Sequence, residues 1–391
     1  MESRVSTLFR QTFLMAVDMI KTVRRAMDFE LCLRQPSQSS SIASIASSWE
    51  TCRDGLLSGE TLAIELQKLQ TVYETTPRSD YEMYRTLSLR EIDPRAFLQL
   101  RETGHASFEL KESLFDRDFP GHYCRRLMET KVYFPGLSGS MSCTLTLVEN
   151  KYRISTTESS YGEQKAEDFR TDKIPIQSVA ATKTTAGGNG KLDPAFYYLN
   201  EYFPFEGAGV ISKWAIELAN ELRQRDYSTI SDIEIDITYS ALAGGNRQAA
   251  LTAAAQDLQK GPNIASIDLL SELEGDGEDD PARFTAGEIL IPGFPKLLPH
   301  ITSRGTTAIN SVELYLKSRA AIPEDLTAMV NGKPLEGKDP LGDFIVCSLE
   351  DSFDITETWT VKLESGGSGW EQVLAEAWLL IGYSVTDLVK E

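Results

Sequence analysis

The sequence predicts a mainly β protein: an N-terminal helical hairpin over residues 1–85, then two antiparallel β-sandwich domains over 86–245 and 283–391, joined by an acidic linker at 246–282. Three observations carry that prediction. Apolar residues near the N-terminus recur at three- and four-residue steps, the period of a helix with one buried stripe. After Thr86 they come in short alternating runs bounded by Gly, Pro, Asn and Asp, the texture of strands and turns. That texture is broken once, by an Ala-, Gly- and acid-rich stretch.

The first helix is read from Leu8, Phe9, Phe13, Val17, Ile20, Val23, Met27 and Leu31, and it ends at Pro36 in a Ser-rich joint. A second amphipathic run, from Trp49 through Leu62, Leu66 and Leu69 to Tyr73, stops before Pro77. Neither is long enough to be stable without a partner surface, so the two are expected to pair as an antiparallel hairpin; the sharper reading makes them the tail of a larger helical assembly. Strands are expected at Ala106–Leu110, Arg126–Phe134, Ser142–Val148, Ile176–Ala180, Gly209–Glu217 and Ile230–Tyr239. The last sets Ile233, Ile235 and Ile237 on one face and Asp232, Glu234 and Asp236 on the other, so one side is wet.

A helix near Gln248–Gln259 opens the linker, which closes in the solvated run Glu274–Pro281. The second strand set is Gly287–Ile291, Ser311–Lys317, Thr327–Val330, Phe344–Leu349, Thr358–Leu363 and Ala375–Val385. Asn331-Gly332 marks a hairpin, because both residues accept positive φ. Asp236-Ile-Thr-Tyr-Ser240 is echoed by Leu380-Ile-Gly-Tyr-Ser384, which predicts two sandwiches of similar topology.

Composition narrows the function. The 391 residues hold 39 Lys+Arg against 58 Asp+Glu, a net charge of −19. Such a surface repels nucleic acid and anionic lipid. Residues 248–391 carry 10 basic and 24 acidic side chains, so most of the acidity sits there. No apolar run approaches the roughly 20 residues that span a bilayer. Asp18 interrupts the stretch Thr12–Ile20, which spoils a secretory signal pattern. Cys32, Cys52, Cys124, Cys143 and Cys347 are odd in number and form no CxxC pair, which predicts free thiols in a reducing compartment. A chain cytoplasmic as synthesised is expected.

Enzyme motifs fail one by one. His105, His122 and His300 have no second ligand at metal spacing. Gly136-Leu-Ser138-Gly-Ser140 ends in Ser where a nucleophile elbow needs Gly. Leu192 stands where a phosphate loop needs Ser or Thr. Pro281 occupies the tight-turn position of a calcium loop. No catalytic, cofactor-binding or metal-binding residues are assigned.

Three stretches carry more information: Asp118-Phe-Pro-Gly-His-Tyr-Cys-Arg-Arg126, Pro204-Phe-Glu-Gly-Ala-Gly209 and Tyr227-Ser-Thr-Ile-Ser-Asp232. In this order and spacing the chain resembles the C-terminal TcB-binding region of the TcA subunits of insecticidal Tc toxins, over roughly residues 8–245. The resemblance implies a β-sandwich at the top of a pentameric translocation channel. That sandwich docks the β-propeller of the TcB–TcC cocoon and has no catalysis of its own; the preceding helices correspond to the end of the pore-forming region. Met1 falls where a family member would already have passed its shell and pore regions. A split component, a fragment or a redeployed module is therefore expected, acting on membranes only through regions not in this chain and released outside the cell as a toxin component. Residues 283–391 run past the resemblance.

Candidate partner-binding residues follow. His122, Tyr123, Arg125 and Arg126 offer aromatic and guanidinium anchors of the kind enriched in interfaces. The competing reading pairs the arginines internally with Asp116 or Asp118. Phe203, Phe205 and Glu206 form a rigid aromatic turn, either packed under the sandwich or presented to a partner. Trp214 and Trp378 read as core. Trp370, after Gly366-Gly-Ser-Gly369, is the tryptophan placed to stack on a sugar ring, and it motivates an alternative carbohydrate-binding reading.

Overall fold

The computed structural model describes residues 2–33, 58–76, 80–135, 141–163, 165–173, 175–182, 203–219, 226–261, 263–270, 284–285, 287–319, 326–356, 358–364 and 374–387. The protein is mainly β, with a helical region at its N-terminus. Helices α1 (Glu2–Glu30) and α2 (Ser58–Thr75) pack through Phe13, Val17 and Ile20 against Leu62 and Leu69. They do not run antiparallel. Tyr73 Oη donates to Glu30 Oε1 at 3.1 Å, so both C-terminal ends meet at the β body. The stretch 34–57 makes a parallel pair feasible, since its extended reach of about 80 Å exceeds the ~27 Å length of α2. Among the described residues no helix is long and apolar enough to cross a membrane.

The first sandwich contains β1 (Asp80–Ser88), β2 (His105–Leu110), β3 (Tyr123–Tyr133), β4 (Met141–Arg153), β5 (Phe169–Asp172), β6 (Ile176–Thr182), β7 (Ile211–Leu218) and β8 (Glu234–Leu242). One sheet runs β1-β8-β3; the other runs β2-β7-β4, with β5 and β6 sharing the far edge of β4. Ile235, Ile237 and Tyr239 of β8 are buried in one core with Trp214, Ile216 and Leu147 of the facing sheet. Between these strands lie α3 (Leu89–Ile92), α4 (Pro94–Thr103), α5 (Glu112–Asp118) and α6 (Glu158–Glu163). Helix α4 has Asp93 as N-cap, Pro94 in its first turn and Gly104 in the left-handed conformation after its end.

The expected linker is more ordered than its composition suggests. Helix α7 (Arg247–Lys260) is followed by β9 (Asn263–Asp268), which pairs with the last strand of the chain; the run Glu274–Pro281 lies outside the described residues. The second sandwich adds β10 (Phe284–Thr285), β11 (Glu288–Pro292), helix α8 (Phe294–Leu297), β12 (Thr306–Ser318), β13 (Thr327–Val330), β14 (Lys333–Pro334), β15 (Glu336–Leu341), β16 (Phe344–Leu349), β17 (Thr358–Glu364) and β18 (Leu374–Thr386). Its sheets are β10-β11-β17-β13-β14 and β15-β16-β12-β18-β9. This is not the topology of the first sandwich. The shared Tyr-Ser echo marks two central strands, β8 and β18, rather than a repeat. Asn331 and Gly332 both take positive φ between β13 and β14, as the hairpin requires.

Strand β18 is buried on both faces. Ala377, Leu379, Ile381 and Val385 enter the second core, while Trp378 and Leu380 join the first. The sandwiches therefore meet across α3 and α4. Phe97 packs edge-on to Trp378, with Arg90 over the same indole at 4.8 Å. Arg101–Glu376 at 2.8 Å and Lys317–Glu102 at 2.6 Å flank it, with Arg95 on Glu313.

The cysteines correct the sequence reading. Cys32, just past α1, is disulfide-bonded to Cys124 in β3, with 6.2 Å between their Cα atoms. Cys143 and Cys347 are buried and outside this disulfide; Cys52 lies outside the described residues. Scattered spacing hid the pair because its partners lie 92 positions apart.

Candidate functional site

The turn Phe119–His122 follows α5 and launches β3. It is pinned from behind by two glycines. Gly245 N–H donates to Gly121 O at 2.9 Å. Gly121 sits at φ +79, and a Cβ there would fall 2.8 Å from Arg247 Cα; one on Gly245 would fall 2.4 Å from Gly121 O. Only backbone without side chains packs this closely. Helix α7 is fixed in turn by Asn246, whose side chain accepts from Ala249 N–H.

Two rings of this turn, Phe119 and His122, gather at the surface with Tyr81 of β1. His122 stands between Tyr81 and Phe119, edge-on to each at centroid distances of 5.8 and 5.9 Å. Tyr81 is 50% exposed and Phe119 43%. Desolvation lowers the His122 pKa against the raising effect of the Phe119 backbone, with a further lowering from the Arg125 charge. Of this trio the sequence reading singled out only His122. The Phe119-Pro120 step before the turn was the available signal; Tyr81 lay in the stretch read as helical.

The paired arginines lie beneath the turn rather than on it. Arg125 is 2% exposed; it donates to Asp116 Oδ1 at 2.7 Å and to Phe119 O at 2.8 Å, so it braces the turn. This is the internal pairing weighed from sequence. Burial raises the Asp116 pKa to about 6 against the opposing pull of Arg125, with Glu112 adding like charge. Glu112 is itself held in a two-bond pair with Arg153, at 2.8 and 2.6 Å. Arg126 is 7% exposed and donates to Phe29 O at 3.0 Å and Glu30 O at 3.4 Å, satisfying the last carbonyls of α1. In this chain both guanidiniums are engaged inside the molecule. Tyr123, half-buried, packs against the Cys32–Cys124 cluster.

The second motif divides likewise. Phe205 is buried edge-on to Trp214 at 4.9 Å, whereas Phe203 and Glu206 are exposed on the same turn. A Cβ on Gly209 would fall 2.2 Å from Lys151 O, so this glycine permits the chain to cross β4. In the third motif, Asp226 accepts from Ser228 N–H at 3.0 Å and Arg101 reaches the carbonyls of Tyr227 and Ser228. Trp370 falls outside the described residues. Among the described residues no three His, Cys, Asp or Glu side chains are gathered as metal ligands.

The described residues thus place a helical arm on a β body, with an exposed aromatic turn braced by buried ion pairs. Residues 1–241 match the Tc toxin complex TcA C-terminal TcB-binding domain, and the chain belongs to that family. It is similar to toxin subunit YenA2 of Yersinia entomophaga, 24% identical over 259 residues, covering 62% of this chain and 18% of that subunit. The chain thus spans under a fifth of that relative's length. The cryo-EM structure of Yersinia pseudotuberculosis TcaA-TcaB aligns over 49% of this chain and 11% of that one, with 20% identity and a TM-score of 0.32. The tandem CBM22 domain of Paenibacillus barcinonensis Xyn10C aligns with 9% identity and a TM-score of 0.16. Neither alignment is close enough to carry an argument; the family rests on the sequence match.

Proposed function

We propose that this chain docks the β-propeller of a TcB subunit, without catalysis of its own, through the Tyr81–His122–Phe119 cluster. The observation that carries the reading is that cluster: two rings on a turn closely packed through Gly121 and Gly245, with Tyr81 of β1 beside them, inside the family's TcB-binding domain. Rigid, partly exposed aromatics lose little entropy on binding and serve as interface anchors. Phe203 and Glu206, exposed on their own turn, are candidates for the rim of such a face. A standard interface buries about 800 Å² per partner, which asks for more surface than the three rings alone.

The test is a titration of a purified TcB subunit against the wild-type chain and Tyr81→Ala/Phe119→Ala. Loss of two central anchors is expected to weaken binding by at least about 10-fold, at 1.4 kcal/mol per decade, with the melting temperature unchanged. Equal affinity in the variant removes the cluster from the interface.

We further propose that α1 contributes to self-association, up to the pentamer its family resemblance implies. Its stripe Phe13, Val17, Ile20 faces α2, while Leu8, Thr12, Met15, Met19, Thr22 and Ala26 repeat at alternating four- and three-residue steps and are all exposed. A helix with two such seams suits a position between two neighbours. The disulfide favours a chain synthesised in the cytoplasm and working in an oxidising exterior.

A further inference from the structure

The helical arm is attached to the β body at two places. Helix α2 runs by backbone towards β1 within residues 76–80. Helix α1 is attached through Cys32, bonded to Cys124 at the start of β3. Both cysteines take positive φ, 53° and 51°, which turns the chain at each side of the bond. Around it the joint is small. The Phe29 ring lies between the Arg126 and Arg170 guanidiniums at 4.9 and 4.8 Å, and Arg126 holds the carbonyls of Phe29 and Glu30. Farther along, Phe13, Val17 and Ile20 of α1 pack on α2. A pair of helices fixed at one strand can pivot; fixed at both, it cannot. The second fixing point is a covalent link that a reductant can undo.

We propose that the Cys32–Cys124 bond is a redox latch that sets whether α1 is held against the sandwich. Oxidised, it locks the arm beside the Phe119–His122 turn, which ends two residues before Cys124. On reduction by a dithiol, one thiolate of the reductant attacks a sulfur of the pair and its second thiol resolves the mixed disulfide. Two electrons and two protons pass to Cys32 and Cys124, and the reductant leaves as its cyclic disulfide. The arm then rests on non-covalent contacts, among them Phe29 with the Arg126 and Arg170 guanidiniums and with the Tyr152 and Ile154 cluster, and detaches transiently. Because both cysteines are buried, attack follows local opening of the joint.

The test uses the full chain purified in air. Alkylation in denaturant before reduction is expected to modify Cys143 and Cys347 and to leave Cys32 and Cys124 as a linked peptide. Hydrogen exchange is then compared with and without dithiothreitol. Residues 24–33 are expected to exchange at least tenfold faster after reduction, and trypsin to cut after Arg24 and Arg25 correspondingly faster, while 306–318 is unchanged. Cys124→Ser should match the reduced state with or without dithiothreitol; if it does not fold, the wild-type comparison stands by itself. Alkylation of Cys32 and Cys124 before reduction overturns the proposal, as does identical exchange in both states. Faster exchange extending through 306–318 also overturns it, since the bond would then be a global staple rather than a latch.

Discussion

Asp116 and Arg125 meet at 2.7 Å beneath the aromatic turn, and their pairing shows how a motif can serve as a signature while its arginine is spent on an internal bond. Arg125 and Arg126 are visible in the sequence, but an arginine facing Asp116 nine positions upstream is written no differently from one facing solvent. The same holds for Phe203 and Phe205, one exposed and one buried on a single turn. What the motifs spell out is scaffolding: Gly121 against Arg247, Gly209 over Lys151, Asp226 closing its own short turn. Asp116 also gives a pH prediction. Its folded pKa of about 6 lies above the unfolded value, so the folded state binds the proton more tightly. This stabilising contribution is full below the unfolded pKa, about 3.9, and is lost as pH rises through 6. The difference in urea midpoint between wild type and Asp116→Asn should therefore change between pH 4 and 7 and level off above. A flat difference over that window means that Asp116 titrates like a free carboxylate.

At the scale of elements, periodicity located most strands and the helices but not their partners. Strand β8 shows the alternation written in Ile235 and Ile237; β18 hides its role, because a strand buried on both faces reads as one apolar run. The parallel course of α1 and α2 was also illegible, since a stripe states which face is buried and not which way the neighbour runs. Strand β9 was missed inside an acid-rich stretch because pairing with β18 overrides composition there. The second seam of α1 yields the prediction at this scale. Met15 and Met19 are each 68% exposed, so Met15→Glu/Met19→Glu should leave the monomer's melting temperature within ~0.5 kcal/mol equivalent while abolishing any oligomer seen by light scattering. A variant that assembles like wild type places self-association elsewhere.

For the whole molecule, the two sandwiches form one mechanical unit, because Trp378 and Leu380 of the second complete the core of the first. No pattern in either segment announces this; only packing reveals that the far face of β18 is not solvent. The wild-type chain should therefore unfold its β body in one cooperative transition. Trp378→Ala removes the indole shared by Phe97, Arg90 and Arg101, at a cost of about 3–5 kcal/mol, and should split calorimetric unfolding into two transitions. A single shifted peak would mean that the ion pairs Arg101–Glu376 and Lys317–Glu102 suffice to couple the sandwiches.

The central claim, that this body receives a TcB propeller on its braced aromatic turn, is tested most directly by hydrogen exchange of the full chain with and without a purified TcB subunit. Protection of residues 80–84 and 117–123 on binding is the predicted result. Protection confined to 288–386, or none at saturating TcB, would contradict it.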